Sequence, residues 1–153
     1  MSTKQTLVLG QGIGQAKFGI SEKDLISLFG KPDNRETDIE DGEEILSLDY
    51  DNIFATFCLE KFDTDEFILS TIIVENPEIS IENKFSIGDN EETVRKAMKT
   101  FKCEEPEKEI EDENKFNLYY EDVSLVLFFE NNQLVSISAS FFIDEDDNIN
   151  WPE

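Results

Sequence analysis

The chain has 153 residues, 13 of them basic and 36 acidic, no histidine, and a formal net charge of −23. That charge argues against a surface for nucleic-acid phosphates or anionic lipid. The missing imidazole removes the usual general base, the Ser–His and Cys–His nucleophile systems, and the commonest zinc ligand.

Hydrophobic residues still make up 39%, including 13 Phe, and they cluster in periodic runs. The chain therefore reads as folded, one domain or two small ones sharing a core, with its acid on the surface. Leu7–Leu9 is too short for the apolar core of a signal peptide, and no run approaches a membrane span. Cys58 and Cys103 lack the spacing of a disulfide framework, so free thiols and a cytoplasmic location are expected.

Thr6–Leu9 reads as a short strand or a lead-in to Gly10, Gly12 and Gly14. The third glycine of a dinucleotide fingerprint would fall at Gln15, so a turn is predicted instead. Ser21, with Asp24 three residues on, predicts a helix start, and Leu25, Leu28 and Phe29 give it an apolar stripe. Gly30 is expected to end that helix in the left-handed conformation, and Pro32 blocks its resumption.

An acidic loop follows at 33–44. Strands are then predicted at Glu44–Tyr50, Ile53–Glu60 and Phe67–Glu75, with a turn at 63–66. Asn76–Ile81 bridges to a second helix, expected to start at Asp89 with Glu92 completing the box, its stripe being Val94, Ala97, Met98 and Phe101. A second acidic loop spans 104–113. Strands follow at Lys115–Glu121, Val123–Glu130 and Leu134–Ile143, with Asn131-Asn132 as a tight turn. The acidic tail beyond is expected to be mobile.

Gly19 aligns with Gly88, Leu25 with Val94, Leu28 with Ala97 and Phe29 with Met98. These matches predict an α+β fold: a helix–three-strand antiparallel unit duplicated in tandem over 12–76 and 80–145, together one compact unit, with 146–153 as tail. The helices are expected to pack on one face of the sheet and leave the other open. Ser136, Ser138 and Ser140 mark the open face. Val135, Ile137, Ala139, Phe141 and Ile143 are expected to face the helices.

Chemistry is harder to place. With 36 acids, carboxylate pairs arise by chance and nominate no catalytic dyad. Asp144, Asp146 and Asn148 imitate the start of a calcium loop, but Ile149 stands where glycine is needed. No enzyme, metal or cofactor is predicted.

Phe18-Gly19-Ile20-Ser21, Leu28-Phe29-Gly30-Lys31-Pro32 and Ile87-Gly88 with Val94 carry a resemblance. A glycine-led turn, a capped helix, a Gly-x-Pro exit and a meander, used twice over about 12–143, look like the β-lactamase inhibitor protein fold. A single-copy form is found in small outer-membrane assembly lipoproteins. The resemblance implies an open sheet face that grips another protein. A cytosolic acidic chain without disulfides or a lipid-attachment cysteine is similar instead to immunity proteins of bacterial toxin systems, which cover the working site of a toxin, often a basic nuclease.

The expectation is thus a non-enzymatic protein-binding module with a basic protein partner, no nucleic acid and no membrane. Its candidate contact residues are Asp38, Glu40, Asp41, Glu43, Asp49, Tyr119, Ser136, Ser138 and Ser140, with Tyr50 as a further aromatic anchor. The alternative is an adaptor with no toxin partner. The sequence does not fix the oligomeric state.

Overall fold

The computed structural model describes residues 6–62 and 64–152. The chain opens with three short strands, β1 (Thr6–Val8), β2 (Gly12–Ile13) and β3 (Ala16–Lys17), and then helix α1 (Glu22–Phe29). Four strands follow: β4 (Asn34–Glu40), β5 (Glu43–Tyr50), β6 (Ala55–Glu60) and β7 (Ile68–Val74). Next come β8 (Ser80–Ile81), β9 (Phe85–Ser86) and helix α2 (Glu91–Met98). Four more strands are β10 (Glu107–Ile110), β11 (Lys115–Tyr120), β12 (Leu125–Glu130) and β13 (Gln133–Ser140). The pair β14 (Phe142–Ile143) and β15 (Ile149–Asn150) ends the described chain.

One eight-stranded sheet runs β10-β11-β12-β13-β7-β6-β5-β4, antiparallel throughout. Its seam is β13 against β7, where Ile137 pairs with Val74 and Ser140 with Thr71. A five-stranded sheet, β3-β2-β1-β8-β9, joins the two parts of the chain through the parallel pair β1–β8.

The core lies between one face of the large sheet and a cover. Leu48, Phe57, Ile72, Ala139 and Leu125 form one buried row across the large sheet. The cover presents Leu7, Ile13, Ala16, Ile81 and Phe85 from the small sheet, and Leu25, Val94 and Met98 from the helices.

These facts overturn the predicted α+β architecture of tandem helix–three-strand units with helices covering the sheet. Among the described residues the molecule is mostly β, 47% strand against 15% helix, with two α-helices and large antiparallel sheets. Each helix is eight residues long and buries only one or two side chains, so most of the cover is the small sheet. Four strands rather than three follow each helix, because both acidic stretches read as loops hold edge strands, β4 and β10.

Other details differ for local reasons. Ser21 does cap α1, its Oγ accepting from the Asp24 N–H at 3.1 Å. The cap of α2 is Asn90 and not Asp89: Asn90 Oδ1 accepts from Thr93 N–H at 2.9 Å, while Asp89 Oδ2 accepts from Ser86 N–H. Gly30 has φ 82 and ψ −168, an extended glycine conformation instead of the left-handed helical one. Leu28 is 40% exposed. Single 3₁₀ turns, Asp51–Ile53 and Glu121–Val123, occupy the predicted starts of two strands. The turn predicted at 63–66 includes Asp63, which lies outside the described residues.

Two bulges set the register of the helix side. Ser70 is the extra residue between the pairs Cys58–Thr71 and Leu59–Leu69, and Val135 is the extra one between Phe128–Ser136 and Phe129–Leu134. Next to each bulge the backbone is re-aimed at a glycine turn. Gly19 N–H donates to Leu69 O and Gly88 N–H to Leu134 O, both at 2.8 Å, with φ of 100 and 104. The bulge also reverses a prediction: Leu134 is buried and Val135 exposed.

The tail predicted to be mobile is built into the fold as far as it is described. Trp151 lies 5.1 Å from Phe141 and 5.4 Å from Phe62, centroid to centroid. A Cβ on Gly19 would come within 3.0 Å of the indole.

Candidate functional site

Strand alternation turns every second side chain of the large sheet away from the core. One register row crosses all eight strands in this way: Asn34, Asp49, Thr56, Ile73, Ser138, Val126, Tyr119 and Glu107. Beside it run Glu36–Ser47–Cys58–Thr71–Ser140 and Ser136–Phe128–Asn117–Glu109. From Ser47 to Tyr119 most of these side chains are half-buried by their neighbours in the sheet. Among the described residues no helix or second sheet lies over them. The core face behind, by contrast, is closed to solvent.

The face has an apolar and hydroxyl-bearing centre, with Ile73, Val126, Phe128 and Tyr119 among Ser and Thr. Acid bounds it on both sides: Glu36, Asp38 and Glu40 on β4, Glu107 and Glu109 on β10. A shallow depression of about 310 Å³ opens between Thr71, Tyr119, Glu121, Val126, Ser138 and Ser140.

The predicted contact residues are distributed unevenly over this face. Asp49, Tyr119 and Ser138 share the long row, with Ser136 and Ser140 in the rows beside it. Ser140 turns its hydroxyl onto Ser70 O at 2.7 Å, which also ties the first bulge to the seam. Asp49 accepts from Thr56 Oγ1 at 2.8 Å and from Asn34 Nδ2 at 3.3 Å. Asp38 and Glu40 lie on the edge strand, while Asp41 (φ 52) and Gly42 (φ 83) form the turn before Glu43. The hairpin tip therefore stands at the rim, away from the serines.

Tyr50 is no anchor: it is 2% exposed, and its hydroxyl donates to Gly30 O at 2.7 Å. Val126, Phe128, Ile73, Glu107 and Glu109 were not singled out in the sequence. The available signal was the second alternating set in β12, where Val126 and Phe128 stand on the side opposite Leu125, Leu127 and Phe129.

Burial pushes the Cys58 thiol up, partly offset by a hydrogen bond with Ser47, and burial and Asp122 push Cys103 up. Neither is therefore held as a thiolate at neutral pH. Both are free. Among the described residues no group of three or more carboxylates or thiols is placed to hold a metal ion. The Asp144 carboxylate instead accepts from the N–H groups of Asp146 and Asn148 within its own turn. No described helix is long and apolar enough to cross a membrane.

No known family profile matches the chain, and no curated protein is similar to it in sequence. Two solved structures share its fold. One is an extracellular protein containing an SCP domain from Bacillus anthracis str. Ames, with TM-score 0.53, 14% identity, and 89% of this chain aligned to 49% of that one. The chain thus spans about half the length of that protein. The other is the uncharacterized protein YfeY from Escherichia coli, with TM-score 0.50, 13% identity, and 90% of this chain aligned to 99% of that one. At these identities the likeness is one of fold.

Proposed function

We propose that the protein is a non-catalytic binding module whose open sheet face docks a basic protein and covers that partner's working surface, as an inhibitor or immunity protein does. The observation behind this reading is the wide open face, with an apolar, hydroxyl-bearing centre bounded by acid on both sides. The centre supplies area that two surfaces can dry, and the acid favours a cationic partner and speeds its encounter. Its depression beside Tyr119 suits one protruding side chain of the partner. Two free thiols fit a reducing, cytoplasmic setting.

The test is capture from the source cell with wild-type protein and with Val126→Arg or Ser138→Arg, which put a cation at the centre of the face. Wild type should retain one stoichiometric basic protein, with an association rate that falls steeply as salt rises, and either variant should lose it. Recovery of no stoichiometric partner, or equal recovery by the variants, would reject the proposal.

A further inference from the structure

The two ends of the large sheet are not equivalent, and the β4 end carries a specific consequence. β4 pairs with β5 over seven consecutive residue pairs, from Asn34–Asp49 to Glu40–Glu43, and every one of its own residues is exposed. The two-residue turn Asp41-Gly42, with both φ angles positive, makes Glu40–Glu43 a hydrogen-bonded pair. Antiparallel alternation then points the backbone groups of Asn34, Glu36, Asp38 and Glu40 at β5, and those of Arg35, Thr37 and Ile39 outward. The Ile39 N–H fits this parity, since it is held by the Asp38 carboxylate at 2.8 Å instead of by β5. Arg35 and Thr37 are left with outward N–H and C=O groups and, among the described residues, no strand beside them.

We infer that this edge docks an extended basic segment of a partner protein, which joins the large sheet as an additional strand beside β4. The side chains select the occupant. On the open face Glu36, Asp38 and Glu40 stand at every second position, and an added strand would set its own alternate side chains next to them. Lysine or arginine at those positions matches. The other side presents Thr37 and Ile39, the latter 69% exposed, and suits β-branched residues. The one cation of β4 is already engaged, Arg35 Nε donating to Glu22 Oε2 at 2.6 Å and Nη2 to Glu22 Oε1 at 3.2 Å. A second copy of the chain is a poor occupant, because antiparallel self-pairing about Thr37 would set Glu36 opposite Asp38. The opposite edge, β10, is only four residues long.

The inference rests on the proposed preference for a basic partner, but its contacts are backbone groups of the edge and not the open face. Its test needs no natural partner. A synthetic heptapeptide alternating lysine and valine is titrated into the full chain and amide exchange is followed, with a peptide of the same composition in two blocks as control. The alternating peptide should slow exchange of the Arg35 and Thr37 amides at least tenfold at saturation, and the block peptide should not. Thr37→Pro should abolish the effect and still melt like wild type, since that N–H leaves no ladder bond behind. The double variant Glu36→Lys, Asp38→Lys keeps every backbone group and should weaken the alternating peptide at least tenfold, which carries the test if the proline variant misfolds. Equal protection by the block peptide, undiminished binding to Thr37→Pro, or no binding at all would overturn the inference. Changes confined to Tyr119, Val126 and Ser138 would overturn it while leaving the open-face proposal standing.

Discussion

The half of the large sheet made by β4–β7 and the half made by β10–β13 solve the same backbone problems with different residues. Each helix opens on a capping side chain, Ser21 or Asn90, and ties its first glutamate to the second residue of an edge strand, Glu22 to Arg35 and Glu91 to Lys108. Each sheet half turns between its second and third strands through one 3₁₀ turn and a left-handed residue, Phe54 at φ 47 or Ser124 at φ 49. The outward face diverges. Where β5 and β6 place the hydrogen-bonded Asp49 and Thr56, β11 and β12 place Tyr119 and Val126 and leave a depression. The backbone geometry recurs even where the residue types differ, whereas an uncovered face is free to specialise.

The comparison breaks most visibly if the halves do not share one core. Phe57→Ala in β6 and Phe129→Ala in β12 should each cost about 3–5 kcal/mol, in a single cooperative urea transition. Two separate transitions would show that the halves are independent.

The matched tyrosines sharpen it at high pH. Burial pushes Tyr120 up to about 12 from its ordinary 10.0, and pushes Tyr50 upward as well. The folded state therefore binds these protons more tightly than the unfolded one. That stability is whole below about pH 10 and is lost as pH rises toward 12, by roughly 2–3 kcal/mol for Tyr120. Tyr120→Phe should flatten the alkaline end of the stability–pH curve more than Tyr50→Phe does.

The glycine turns should separate next. Gly19→Ala and Gly88→Ala both force alanine to positive φ, at about 1 kcal/mol or somewhat more. Only the alanine at position 19 also meets Trp151, so it should melt lower; equal melting would mean that the indole contact contributes nothing. The smallest effects belong to the caps. Ser21→Ala and Asn90→Ala should each lose about 1 kcal/mol by denaturant titration.

Much of this plan could be read from the sequence wherever a residue type has one local use. Ser21 and the Leu25 stripe announced α1, and Leu46, Leu48 and Tyr50 alternated cleanly in β5. The edge strands could not be found that way, because all the residues of β4 and β10 are exposed and no apolar period exists. The Asp41-Gly42 turn was the overlooked clue to β4. Parity failed in β13 because one extra residue at Val135 shifts everything before it to the other face. The small sheet is made of strands two or three residues long, too short to show any period. The seating of Trp151 depends on Gly19, a partner far away in the chain. The open face was half visible, through its serines, while its apolar centre was hidden among residues that look like core.

The meeting of β7 with β13 has one more consequence. These central strands are the inner borders of the two halves, and each carries buried apolar side chains, Ile72 and Val74 on one, Ile137 and Ala139 on the other. A protease cut in the connection around Pro77 would leave both fragments clasped along that line and stitched again by β1 on β8. Made separately, the fragments would each bare an adhesive border and find one another on mixing, a complementing pair from a single chain.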